Sequence, residues 1–145
     1  MISTGNPLMD AQRAYDRAAR ARRRDALMRR LRRRCVECAR LAIFESHAAR
    51  RAAGGRGVRE IPLDHINASV EPARARHFDH LFRPAGGPTR SRWERLWMAE
   101  QRGETVPPIS VVPSGTGYAV LDGHHRVSVA RARGAVTIDA VVEFA

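Results

Sequence analysis

A chain of 145 residues with 43% hydrophobic content has room for one modest core and an appendage, and too little for two full domains. Its formal charge of +11 is spread unevenly, with 15 Arg against 5 acids in residues 1–56 and 11 Arg against 10 acids in residues 57–145. A membrane span is excluded, since no run nears the roughly 18 apolar residues one requires. The basic N-terminus lacks the apolar stretch of an export signal, so a cytoplasmic protein with reduced thiols is expected.

The first element runs from about Pro7 to Arg51. Asn6 suits an N-cap, Pro7 the first helical position, and Ala, Arg and Leu dominate the residues after it. Between Ala26 and Phe44 the apolar residues Met28, Leu31, Cys35, Cys38 and Ala42 step by three and four, and Leu27, Leu41 and Phe44 widen the stripe. That spacing predicts an amphipathic helix. The chain has no Lys, so Arg by itself does not signal bidentate phosphate contacts; only the sign of the charge is informative. Arg22, Arg23, Arg29, Arg30, Arg33 and Arg34, with Arg24, Arg32 and Arg40 around them, form a long single-signed surface that would attract a polyanion through counterion release. Against DNA contact stands the simpler reading of a solvated arm. No aromatic residues interleave the arginines, which points to backbone contact rather than base stacking. An Ala-rich, Trp-poor apolar face argues against a membrane surface.

Cys35-Val36-Glu37-Cys38 has the C-x-x-C spacing of redox and zinc sites. It has no second C-x-x-C, no strand-to-helix setting, and only scattered histidines such as His47. Because both thiols fall on the apolar stripe, two small buried residues of a helix are expected.

Ala53-Gly54-Gly55-Arg56-Gly57 cannot continue a helix and divides an arm, residues 1–56, from a domain, residues 57–145. Val58 to Leu63 reads as a strand that Pro62 confines to an edge or to its own last residue. Asp64-His65-Ile66 starts a turn, and Asn67 to Pro72 is expected as a loop leading into a helix that buries Phe78, Leu81 and Phe82. His65, His77 and His80 lack a third ligand at metal spacing and read as surface or satisfied side chains. Arg74 and Arg76 are left either to solvent or to a nearby anion.

Pro84 to Pro88 breaks the chain, and Ser91-Arg92-Trp93-Glu94 has a capping-box pattern. Trp93, Leu96 and Trp97 then recur at helical spacing as core until Gly103. Ile109 to Val112 is a strand closed by Pro113, and Ser114 to Gly117 is a hairpin turn returning as Tyr118 to Leu121. After Gly123 a helix buries Val127, Val129 and Ala130 until Gly134, and Val136 to Val142 alternates as a last strand. The fold class expected is α+β, a small mixed sheet with helices against it, preceded by an Arg-rich helical arm.

The chemistry gathers at Asp122-Gly123-His124-His125-Arg126. A strand passing through glycine into a helix leaves N–H groups unpaired at the positive end of the helix dipole, a natural anion seat. Three cationic or ionisable residues in that first turn are otherwise unfavourable. Arg126 offers a fork of donors; His124 and His125 can donate when protonated or act as general bases when neutral; Asp122 can orient a histidine or hold Mg²⁺ beside a phosphate. The plainer alternative is that Asp122 caps the helix and the histidines pack on the sheet.

Val106-Pro107-Pro108-Ile109, the hairpin, the Gly123-His124-His125-Arg126 string and the helix behind it resemble the signature region of the ParB/sulfiredoxin superfamily. Ile61 to Ile66 and the stretch from Ser69 to Phe82 resemble that family's opening strand and following helix. The resemblance covers roughly Val58 to Phe144. It implies that Gly123 and Arg126 hold nucleotide phosphates at a helix N-terminus, while the two intermediate positions, here His124 and His125, differ among the family's branches; a nucleoside triphosphate, CTP or ATP with Mg²⁺, is the ligand expected, with His124 and His125 as further contacts read from the residues themselves. Sulfiredoxins carry their catalytic cysteine at the position of His124, so sulfinic-acid reduction is not implied. Three functions stay open: a nucleotide-binding, DNA-associated factor of the chromosome-partitioning kind, which is preferred; a phosphotransferase resembling the family's free-serine kinases, with Asp122, His124 and His125 catalytic; and a metal-dependent nuclease.

Overall fold

The computed structural model describes residues 3–45 and 57–143. The element order is α1 (Pro7–Leu31), β1 (Ala42–Ile43), β2 (Val58–Pro62), β3 (Ile66–Ser69), α2 (Pro72–Ala75), α3 (Arg90–Gln101), β4 (Ile109–Pro113), β5 (Tyr118–Asp122), α4 (His124–Ala132) and β6 (Thr137–Val142). The six strands form one mixed sheet in the order β1-β3-β5-β4-β6-β2. Only β4–β5 and β6–β2 are antiparallel; β1–β3, β3–β5 and β4–β6 are parallel. An α+β fold with a mixed sheet is therefore what the chain adopts.

The helices stack outward from the sheet. Val127 and Ala130 of α4 pack with Ile109, Val111 and Val120 of the strands. The other side of the same helix, through Val129, meets Trp93 and Trp97 of α3 and Ala11, Ala14, Tyr15 and Ala19 of α1. Polar bonds fix this stack: the buried Trp93 indole N–H donates to Ser128 Oγ at 2.9 Å, and the Tyr15 hydroxyl donates to the carbonyl of the exposed Gly86 at 2.6 Å. α1 buries a ridge of alanines and one tyrosine, which lets it lie close against the two tryptophans. The expected boundary at residue 56 lies outside the described residues, as does His47. The segment expected as a separate arm is nonetheless packed on the domain, through α1 on α3 and through β1 on β3.

Several local readings are corrected. α1 is capped by Asn6, whose side chain accepts from the Leu8 and Met9 N–H groups, but it stops at Leu31. The chain then turns through Arg33 at φ 50°, and Leu27, Met28 and Leu31, expected as a buried stripe, are exposed. Cys35 and Cys38 are exposed as well, outside any α-helix, and joined as a disulfide. Ile66–Ser69, expected as turn and loop, is an inner strand between β1 and β5. The helix expected to carry Phe78, Leu81 and Phe82 is a single turn, α2. Asp79 explains the break, because its Oδ1 takes the N–H groups of Leu81 and Arg83 at 3.0 and 2.8 Å, a local bonding pattern that competes with the helix. Phe82 is thereby set at φ 57° with its ring fully buried, while Leu81 is exposed. The capping box does not form either: α3 starts at Arg90, which draws Glu94 into an ion pair at 2.8 Å.

Candidate anion site at the start of the fourth helix

The β4–β5 hairpin delivers the chain to Asp122, and Gly123 turns it into α4 with φ 112°. Only glycine fits: a Cβ there would lie 2.5 Å from Ile109 Cγ2 and 3.3 Å from Arg126 Cζ. No side chain caps α4, so the N–H groups of its first turn form the positive end of the helix without a side-chain acceptor.

The two histidines part company here. Successive helical positions lie about 100° apart, so neighbours in a first turn cannot share one surroundings. His124 falls in line with the buried Val127 and Ser128 and is 1% exposed, its ring stacked on Phe78 and tilted against Phe82. Its Nε2 shares a 2.6 Å hydrogen bond with Ser69 Oγ, which also accepts the Glu71 N–H at 3.0 Å. Nδ1 is buried without a partner. With the proton on Nε2, every donor of this cluster is satisfied and only a lone pair is orphaned, the cheaper of the two tautomers. Burial, then Arg74 and His125, push the pKa of His124 down to about 4. His124 is a neutral packing residue that cannot face a ligand, in keeping with the plainer sequence reading.

His125 is half-buried, its ring edge-on to Phe78 at 5.2 Å. Its pKa is also lowered to about 4, by burial first and then by Arg92, Arg74 and His77. Arg74 resolves its sequence ambiguity by reaching across to Asp122 Oδ1 at 3.4 Å, with its side chain 48% exposed. Arg92 and His77 were not foreseen; they lie 33 and 48 residues before His125 in the chain, and no local spacing signals such a meeting. Arg74 thus stands beside the uncapped start of α4 on Asp122, and the positive field of Arg92, Arg74 and His77 reaches His125. The electrostatic deficit is one that a bound anion would fill.

Arg126 has a different role from the one its motif suggested. Its Nη1 donates to the Pro107 and Pro108 carbonyls at 2.7 and 2.6 Å, and Nη2 to Asp122 Oδ2 at 3.0 Å. With 13% of the side chain exposed, the guanidinium is a clamp between α4 and the entry to β4. The cavity it does line, about 580 Å³, carries Glu60, Glu100, Glu104 and Asp139 against Arg126 and Arg133, and Arg133 is paired with Glu100, so its balance is acidic. Asp122 is a poor fit for Mg²⁺, since each of its oxygens already accepts from a guanidinium. Among the described residues no group of three or more His, Cys, Asp or Glu could hold a metal ion.

The arginines assigned to nucleic acid also divide. Arg29 is spent on Asp25 at 2.8 Å and on the Cys35 carbonyl at 3.1 Å, and Arg22 is half-buried. Arg23, Arg30, Arg33 and Arg34 are exposed, together with Arg24 and Arg32. They cover the end of α1 and the turn after it rather than one long helix. Trp93 and Trp97, stacked at 5.5 Å, are core.

The fold is similar to that of sulfiredoxin from Arabidopsis thaliana, at 18% identity over 60% of this chain and 84% of that one, with a TM-score of 0.44. No family model and no curated protein matches the sequence. No helix among the described residues is long and apolar enough to cross a membrane.

Proposed function

We propose that the protein is a phosphate-binding, nucleotide-responsive module of the ParB/sulfiredoxin-like kind that associates with DNA. The observations that carry this reading are the uncapped start of α4, Arg74 held beside it on Asp122, and the positive field that Arg92, Arg74 and His77 set up at His125. Nucleoside triphosphate is the class of ligand, with its phosphates on the helix N–H groups, Arg74 and Arg92. His125, neutral until the anion arrives, takes up a proton from solvent as the phosphate lowers the local potential. Any Mg²⁺ enters on the nucleotide, held by its phosphates.

Titration calorimetry of the full chain with ATP, CTP and pyrophosphate tests the seat. Arg74→Ala and Arg92→Ala should each weaken binding roughly tenfold or more, the loss of one charge-assisted hydrogen bond. Arg126→Ala should weaken it as well, but with a fall in Tm that Arg74→Ala lacks, because the clamp is removed. Binding should raise the His125 pKa from about 4, measured by NMR. Unchanged affinity in both Arg74→Ala and Arg92→Ala would remove the seat.

The DNA half of the reading rests on the exposed Arg23, Arg30, Arg33 and Arg34. Affinity for a duplex of arbitrary sequence should fall steeply with salt. Replacing Arg30, Arg33 and Arg34 by Ser should flatten the log–log salt slope by about 0.9 for each phosphate no longer neutralised. A slope that the triple variant leaves untouched places DNA elsewhere or nowhere.

A further inference from the structure

The C-x-x-C turn stands apart from the anion seat and takes no part in the proposed binding. Cys35 and Cys38 are solvent-exposed and disulfide-bonded, and the Cys38 backbone N–H points at Cys35 Sγ at 3.1 Å. That donor comes from the short helical turn Glu37–Ala39, so it remains in place whether or not the sulfurs are bonded to each other. A thiolate at Cys35 would accept it as a charge-assisted hydrogen bond. Arg34 directly precedes Cys35, and the Arg29 guanidinium, shared with Asp25, donates to the Cys35 carbonyl at 3.1 Å. The nearby acids are already paired, Asp25 with Arg29 and Arg83, Glu37 with Arg40 at 3.1 Å.

We infer that Cys35 and Cys38 form a thiol–disulfide exchange site, with Cys35 the attacking sulfur and Cys38 the resolving one. In the reduced chain the Cys35 thiolate attacks one sulfur of a partner's disulfide; the partner's S–S bond breaks and its second sulfur leaves as a thiolate, to be protonated by solvent. The Cys38 thiol then loses its proton and attacks Cys35 Sγ, which restores the Cys35–Cys38 bond and releases the partner's remaining thiol. Two electrons pass to the partner, and a protein dithiol returns them by the same steps in reverse.

Three measurements on the full chain decide it. In the reduced protein, peptide mapping after brief iodoacetamide treatment at pH 7 should find Cys35 alkylated roughly tenfold faster than Cys38, because the Cys38 N–H stabilises the Cys35 thiolate. Dithiothreitol-driven reduction of insulin should run at least about tenfold faster with the chain present, and Cys35→Ser should abolish the gain. Cys38→Ser should accumulate a mixed disulfide at Cys35 that dithiothreitol releases. Equal alkylation of the two thiols, no acceleration, or no trapped species overturns the assignment. Both side chains are exposed, and circular dichroism of Cys35→Ala/Cys38→Ala should report a folded chain, so a loss of exchange is read as chemistry and not as unfolding.

Discussion

Gly123→Ala is expected to destabilise the protein by about 3–5 kcal/mol, a large share of what a domain of this size possesses. Two costs add. At φ 112° an L-residue is strained by its own side chain, and the new methyl would sit 2.5 Å from Ile109 Cγ2 and 2.9 Å from Ile109 Cβ, in a strand residue that is fully buried. Ile109 cannot yield, since it anchors β4 between β5 and β6. A shift of α4 would instead drag Arg126 off the Pro107 and Pro108 carbonyls. Thermal melting should show Tm lower by about 10 °C or more, with nucleotide affinity lost in whatever remains folded. A Tm within two or so degrees of the parent would mean that the chain enters α4 by a different turn.

Acid is expected to unfold the protein over a defined window, and His124 sets it. In the folded chain His124 titrates near 4, against the ordinary 6.5 that it regains on unfolding. Between those values the unfolded state binds a proton that the native state refuses, so stability rises with pH; it is complete above about 6.5 and its loss is complete near 4. For the buried His124 the loss from pH 7 to pH 4.5 is about 2–3 kcal/mol. His125 adds a smaller share in the same direction, since it is more exposed. Urea midpoints at the two pH values measure the effect. His124→Gln keeps a hydrogen-bonding partner for Ser69 Oγ without a titrating ring and should remove most of the pH dependence. A midpoint equally acid-sensitive in that variant would place the responsible group elsewhere.

How much of this is legible in the residues depends on how local the causes are. The hairpin, the glycine and α4 are readable because each is specified within a few positions: alternating strands, a turn of Ser-Gly-Thr-Gly, then a buried set at helical spacing. β3 is not, because Ile66-Asn67-Ala68-Ser69 owes its strand to two parallel neighbours that arrive from residues 42–43 and 118–122, and small polar residues are what so crowded a position accepts. The end of α1 misleads for a related reason. Cys35 and Cys38 fit a helical stripe by number, yet their bond to each other and the left-handed Arg33 belong to a turn, and periodicity cannot tell these apart. At the site, Gly123, Asp122 and His125 stand where the motif puts them. Arg126 reads as a ligand because a guanidinium near a helix start looks like one, whereas two proline carbonyls outside any helix have first claim on it. Arg74, Arg92 and His77 act on His125 only through the fold.

The pairing of β2 with β6 joins Val58 to Val141 and Pro62 to Thr137. While the chain emerges from the ribosome, β2 is made early and then waits through most of the domain for the strand that completes it. Its exposed backbone is guarded meanwhile by Arg59, Glu60 and a proline without an N–H, residues that discourage pairing with a stranger. Closure of the sheet at this edge is therefore a late event in the folding of the domain, since it needs a contact between strands roughly eighty residues apart in the chain.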